Sequence, residues 1–314
     1  MRRVLLSTTK MKIPKKFYPY RIPYQGSKQS IAFKLMMIMA QKCPNAKYFF
    51  DVFGGGGAMS YAAAQFGLKV FYSDINQGIV NLHNFLKNNE MPTDWFRWIP
   101  KEEYFERCKK TDPFSVAVTH TWAMHSWAGE YIYNSKKIYP IQYHHYRLLL
   151  HKDLSSLRFF KEALGFNLKL PKANDLHQRI CEFSKYYTRE QRDASGKAAF
   201  LNIQPFERLF VMRRLCKNRF DITFEAKDYA DIDLSSYSPS EVIIYCDPPY
   251  QETASYLSGK FDRLRFNRWF AGLSCPAFIS EFKSDFKELA SFEKKTGVNR
   301  TSRKTSEKLF WNGK

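Results

Sequence analysis

The chain has 314 residues, 44% of them apolar and 17% aromatic, and 50 Lys and Arg against 30 Asp and Glu give it a net charge of +20. This composition excludes a disordered chain and leaves one large domain or two ordinary ones with a sizeable core, while the charge calls for a polyanionic partner, the plainer reading being a generally basic soluble protein. Six scattered cysteines with no CxxC pair signal neither a zinc cluster nor a disulfide framework, and no apolar run reaches transmembrane length, so a cytoplasmic protein with no membrane partner is expected.

Residues 1–50 hold eleven Lys or Arg and no Asp or Glu. Met1 to Leu6 starts like a signal peptide, but Lys10, Lys12, Lys15 and Lys16 arrive before an adequate apolar region, so residues 1–20 read as a basic arm. A turn at 23–28 leads into a helix over residues 31–40, with Ser30 as its cap. Residues 48–53 form a short apolar strand that stops at Gly54-Gly55-Gly56-Gly57, and residues 58–66 read as an Ala-rich helix ended by Gly67. A second strand, 70–74, is followed by a helix reaching Lys87. This β–loop–α–β–α order is the start of a parallel, doubly wound sheet.

From about residue 89 the alternation fails, and the stretch to about 200 reads as mostly helical. The α/β rhythm returns with a helix near 207–215 and strands at 220–224, 241–246 and 277–282, and Leu309 to Trp311 reads as a last strand. The fold class is therefore α/β, with residues 1–88 and 201–314 forming one domain and 89–200 an inserted, mainly helical region.

The most informative residues are Asp247, Pro248, Pro249 and Tyr250, which close the apolar run 241–246. Open α/β sheets bind their ligands at the carboxyl ends of strands. There Asp247 could accept a hydrogen bond from an exocyclic amine, the prolines stiffen the turn and leave a carbonyl without a competing local donor, and Tyr250 could stack on a flat base. A plain Pro-rich turn is the bland alternative. The loop 54–57 suits a tight turn or a close ligand, but it lacks the Lys-Ser/Thr of a P-loop and GxGxxG spacing, so phosphate binding is not its best reading. Asp74 ends the next strand, where an acid can hold two ribose hydroxyls or cap the following helix. A glycine loop, a ribose acid and an amine-orienting turn on one sheet suggest an adenosyl cofactor and an amine acceptor.

The chain resembles the Dam-type DNA adenine-N6 methyltransferases in several blocks taken in order. Tyr24 to Lys28 is similar to their amino-terminal cofactor motif, Asp51-Val52-Phe53-Gly54-Gly55-Gly56 to their glycine-rich motif, and Ser73-Asp74-Ile75-Asn76 with Asn81 to Asn84 to their ribose motif and its helix. Phe224 to Tyr229 is similar to the motif whose Asp meets the cofactor's adenine, and Asp247-Pro248-Pro249-Tyr250 to the catalytic motif. The blocks cover roughly residues 20–88 and 205–314. The resemblance implies a Rossmann-like S-adenosylmethionine methyltransferase sheet and an inserted target-recognition region. Its implied roles put Tyr24 and Lys28 by the cofactor's methionine part and Asp51, Phe53 and Gly54, Gly55 and Gly56 about its amino acid end. Asp74 would then take the ribose and Asp228 the adenine amine. Asp247 and the Pro248 carbonyl would receive the target N6 amine, with Tyr250 stacked on the extruded base. Duplex DNA is the implied partner, no metal is required because the sulfonium is already activated, and a monomer is expected.

Residues 122–129 depart from the Dam subgroup's recognition region, so its target sequence does not carry over. Restriction–modification, phage self-protection and regulatory methylation all fit. A cytosine-N4 methyltransferase, an RNA or protein amino methyltransferase and a catalytically silent DNA-binding protein are the alternatives. Asp at 247 argues against the first, where Ser is more usual, and against the second, where Asn is. Arg263, Arg265 and Arg268 could touch phosphates or form a solvated helix face. His144, His145 and His151 have no convincing ligand spacing and read as surface or core residues. Most of Trp95, Trp98, Trp122 and Trp127 read as core, as does Cys246.

Overall fold

The computed structural model describes residues 11–24, 26–124, 129–165, 168–187, 203–249, 261–296 and 303–314. Tyr250, Trp127 and the start of the basic arm lie outside the described residues. The helices are α1 (Ala32–Lys42), α2 (Ala58–Gln65), α3 (Gln77–Asn88), α4 (Lys101–Arg107), α5 (Pro113–Thr121), α6 (Ile138–His151), α7 (Leu154–Leu164), α8 (Leu176–Tyr187), α9 (Gln204–Lys217) and α10 (Arg263–Gly272). The strands are β1 (Tyr48–Asp51), β2 (Lys69–Asp74), β3 (Ile222–Ala226), β4 (Val242–Cys246), β5 (Ala277–Glu281), β6 (Lys287–Thr296) and β7 (Arg303–Trp311). The fold is α/β, as the alternation of elements predicts, and the sheet has the order expected of a Rossmann-like methyltransferase, β3-β2-β1-β4-β5-β7-β6. No described helix is long and apolar enough to cross a membrane.

The chain divides into two compact units. The first comprises residues 1–90, 111–113 and 212–314 and contains the whole sheet. Strands β3, β2, β1, β4 and β5 run parallel, and β7 pairs antiparallel with both β5 and β6. All five residues of β4 are buried, and so are those of β5, which is why both read as apolar runs without alternation: parallel strands are covered on both faces. On one face Phe50, Ile244, Cys246 and Ile279 form a core with Phe266 and Phe270 of α10. Cys246 is a packed core residue whose thiol burial pushes well above the ordinary range.

Helix starts follow local hydrogen bonding. Asn76 caps α3 through its side-chain oxygen, which accepts from the N–H groups of Gly78 and Ile79. The cap expected for α1 is corrected: its N-cap is Ile31, with no side-chain hydrogen bond, because Ile31 already has helical backbone angles and Ser30 stands one residue too early. The β6–β7 ribbon is larger than the three residues predicted at 309–311, and β6 was not foreseen at all. Both strands are rich in Lys, Glu, Ser and Thr, which removes the apolar signal a strand search relies on.

The second unit comprises residues 91–110 and 114–211 and contains helices but no named strand among its described residues. Its core is aromatic. Trp122 is fully buried and meets Trp98 edge-on at 5.2 Å, and Tyr146 packs on both rings. Arg208 fastens the end of α5 by donating to the carbonyls of Thr121 and Ala123, each at 2.8 Å. His145 is a core residue whose pKa burial lowers to about 3, and His144 stacks on Phe159 at 4.0 Å. Among the described residues no group of three or more His, Cys, Asp and Glu could hold a metal ion.

Candidate active site

Three of the parallel strands end in, or are followed by, an aspartate: Asp51 ends β1, Asp74 ends β2 and Asp247 follows β4. Register sets Asp51 opposite Tyr72 of β2 and Tyr245 of β4, so Asp74 and Asp247 each stand two residues beyond it at the same end of the sheet. Strand order reverses between β1 and β4, so the three carboxylates flank the topological switch point where open α/β sheets bind ligands. They also feel one another. Burial raises the pKa of Asp51 to about 7; Ser60 donates to its Oδ2 at 2.6 Å and opposes the rise, while Asp247 and Asp74 add to it.

The glycine loop lies between β1 and α2. Gly57 donates to the Gly54 carbonyl at 2.8 Å, closing a tight turn, and takes a left-handed conformation at the N-cap of α2. A Cβ on Gly54 would stand 2.0 Å from Cε2 of Tyr72, and one on Gly56 would stand 2.4 Å from the Ile22 carbonyl oxygen. The close approach that forbids side chains here is therefore made by the chain itself. The Gly55 carbonyl accepts from Tyr72 Oη at 2.8 Å and lies 3.0 Å from His83 Nε2, while His83 Nδ1 lies 2.9 Å from Tyr61 Oη. Given an Nε2–H tautomer, His83 donates to Gly55 and accepts from Tyr61, and its ring is stacked on Phe224. The loop is thus braced from behind by buried groups.

Asp74 does not cap α3; Asn76 does. Instead, Asp74 Oδ2 accepts from the Gly55 N–H and Oδ1 from the Asn76 N–H, both at 2.8 Å, so it ties the glycine loop to the end of β2. Burial raises its pKa, and the two N–H bonds pull the other way. Ile75, next in sequence, is 64% exposed. Phe53 sits among Tyr229, Phe261 and Phe266 at 5.3–5.7 Å, and the Tyr24 ring lies 3.0 Å from where a Gly55 Cβ would be. Asp228 caps the short turn Tyr229–Asp231 by accepting from the Ala230 N–H, and both its oxygens meet the Arg265 guanidinium, at 3.0 and 3.2 Å.

Lys28 stands against Asp247. Its Nζ donates to both Asp247 oxygens, at 2.5 and 2.6 Å, to the Gly26 carbonyl at 3.1 Å, and lies 3.1 Å from Glu307 Oε1. Burial works against the ammonium charge, but Asp247 and Glu307 outweigh it and hold its pKa above the ordinary lysine value. The turn after Asp247 is held from the other side, where Arg263 Nη2 donates to the Pro249 carbonyl at 2.7 Å and to Glu281 at 2.9 Å. Glu281 is buried, and burial raises its pKa against the opposing pull of the Phe282 N–H and Arg263.

Sequence reasoning missed Arg263 as a brace, and missed Glu281 and Glu307. Glu281 had a signal, since β5 is an apolar run closed by a carboxylate, the pattern of β1, β2 and β4. Glu307 had only its two-residue spacing from the buried Leu309. Arg263 and Arg265, read as phosphate contacts or a solvated face, are engaged by Glu281 and Asp228, while Arg268 is exposed.

No curated protein matches the sequence. The family model for D12 class N6 adenine-specific DNA methyltransferases matches residues 24–267, a span holding the glycine loop, Asp74, Asp228 and Asp247 to Tyr250. The chain therefore belongs to the D12 class of N6 adenine-specific DNA methyltransferases.

Proposed function

We propose that the protein uses S-adenosylmethionine to methylate the N6 amine of an adenine flipped out of a short duplex DNA site. The observation that carries the reading is the convergence of Asp51, Asp74 and Asp247 at the switch point of the sheet, with Lys28 fixed on Asp247. The residues fit the cofactor. An exposed apolar Ile75 beside the Asp74 carboxylate suits a nucleoside, the side chain against the base and the acid toward the ribose. Each Asp74 oxygen accepts one backbone N–H and keeps lone-pair capacity for a ribose hydroxyl. Asp228 would take the adenine amine, sharing its carboxylate with Arg265, and Phe53 would line the same pocket. Tyr24, Asp51 and the loop of Gly54, Gly55 and Gly56 would hold the amino acid end. When bound, S-adenosylmethionine supplies a methyl group on an already activated sulfonium.

What remains for the chain is the amine. Adenine N6 is a poor nucleophile because its lone pair is delocalised into the ring. Asp247 and the Pro248 carbonyl accept its two N–H bonds, favour a tetrahedral nitrogen and stabilise the positive charge that grows there. Arg263 on the Pro249 carbonyl keeps the turn from shifting, and Asp247, 21% exposed, is the open member of its ion cluster. Orientation for in-line transfer supplies much of the remaining acceleration. Flipping the base costs about a few kcal/mol, which contacts between the basic surface and phosphates offset. Tyr250 would stack on the flipped base, and the helical unit of residues 91–110 and 114–211 would select the target sequence.

The test is methylation-sensitive sequencing of DNA from cells that express the chain, with mass spectrometry of the digested nucleosides. N6-methyladenine at one short motif is the expected product. Asp247→Ala should abolish it while the purified variant still binds S-adenosylmethionine. Full activity in that variant, or N4-methylcytosine as product, overturns the reading.

A further inference from the structure

We propose that Glu307 is a positioning residue for methyl transfer, acting through Lys28 to keep Asp247 a strong hydrogen-bond acceptor; this rests on the function proposed above. Lys28, Asp247 and Glu307 form one ion cluster, built from the segment before α1, the end of β4 and the middle of β7. The cluster is graded in depth. Lys28 and Glu307 are each 3% exposed, whereas Asp247 is 21% exposed. Glu307 lies beyond residue 267, where the family match ends, so nothing in the shared motif accounts for it.

Charge explains what it does. A lysine that donates to both oxygens of a carboxylate directly neutralises it. With Lys28 alone behind it, Asp247 would belong to a neutral pair and would attract a nitrogen gaining positive charge only weakly. Glu307, 3.1 Å from the ammonium, offsets the charge of the lysine. One cation and two carboxylates leave one negative charge, and the exposed member that carries it toward the target amine is Asp247. Lys28 remains as the mechanical anchor, its three N–H donors shared among the two Asp247 oxygens, the Gly26 carbonyl and Glu307.

The strand by itself gives no reason for a glutamate here. Glu307 is opposite Phe292 of β6 and two residues from the buried Leu309. A carboxylate in such a place is costly unless it is paired, and an apolar residue would serve the sheet as well. Lys28 of the site supplies that pairing.

The experiment compares the wild-type chain with Glu307→Gln and Glu307→Asp in single-turnover methylation of duplex DNA, with separate measurement of S-adenosylmethionine and DNA affinity and of melting temperature. Glu307→Gln keeps shape and an acceptor oxygen but removes the charge; it should slow the methylation step by about 10-fold or more while both affinities stay within about twofold. Glu307→Asp keeps the charge and should be faster than Glu307→Gln. A Gln variant as fast as wild type overturns the proposal. So does one whose rate falls only in step with cofactor affinity or melting temperature, which would make Glu307 a purely structural partner of Lys28. So does an Asp variant no faster than the Gln variant. A wild-type chain that methylates nothing is a different result: it removes the proposed function itself, and this inference with it.

Discussion

Asp51 is a group whose protonation is tightly bound to the fold. Its pKa stands at about 7 against an ordinary 3.8, first because it is buried, with Asp247 and Asp74 adding to the rise and Ser60 opposing it. The folded chain therefore holds a proton between those two values that the unfolded chain has released. The stability Asp51 contributes is fully present below pH 3.8 and is lost as pH rises through about 7, by about 1.4 kcal/mol per pH unit and about 4 kcal/mol across the window. Asp51→Asn cannot ionise, yet its side-chain oxygen can still accept from Ser60. Thermal melting from pH 5 to pH 8 should show the variant gaining on wild type as pH rises, with a gap of several degrees at the upper end. Cofactor affinity should behave in the opposite sense. The proposed function sets the cofactor's ammonium beside Asp51, where it would favour the ionised carboxylate, so titration calorimetry should find wild-type affinity for S-adenosylmethionine weakening by up to about tenfold per unit as pH falls below 7. The variant should bind more weakly and without that slope. Parallel melting curves for the two proteins would refute the reasoning, because the penalty would then not reside on Asp51.

Two other substitutions probe the same site. Gly54→Ala sets a methyl group 2.0 Å from the buried Tyr72 ring and disturbs its bond to the Gly55 carbonyl; a loss of about 1–3 kcal/mol is expected in urea unfolding, and an unchanged midpoint would mean that Tyr72 yields freely. Arg265→Ala removes an ion pair whose arginine is half exposed, so stability should change by less than about 1 kcal/mol, and calorimetry should find cofactor affinity undiminished because Asp228 is released. A marked fall in affinity would place Arg265 itself in the cofactor pocket.

Much of the site was legible because buried parallel strands write themselves plainly. Residues 48–51, 69–74 and 242–246 are short apolar runs, each ending in or followed by an aspartate, and the glycine loop and Ala-rich helix punctuate them. What the sequence concealed is who touches whom. Lys28 and Asp247 are 219 residues apart, and no spacing reveals that the lysine of one motif holds the acid of another. The brace of Arg263, Pro249 and Glu281 was hidden for the same reason, and its arginine looked like one of three along an exposed helix. The β6–β7 ribbon was concealed by chemistry: Lys287–Thr296 and Arg303–Trp311 spend their side chains on charge and hydroxyls, so they read as a basic stretch and not as strands. Ser30 misled because propensity favours it as a cap, while the backbone had already turned helical at Ile31.

The position of β7 bears on how the protein is made. It is the last strand in the sequence, yet it takes an inner place, between β5 and β6. While the chain is being synthesised, β5 emerges with an unpaired edge, and that edge stays open until residues 303–311 follow. Open apolar edges recruit other chains. The partly made protein therefore passes through an interval in which every carboxylate of the switch point is present but the sheet is unfinished. Pairing of β7 with that edge also delivers Glu307, so a nascent chain acquires the complete ion cluster only when the β5 edge is covered.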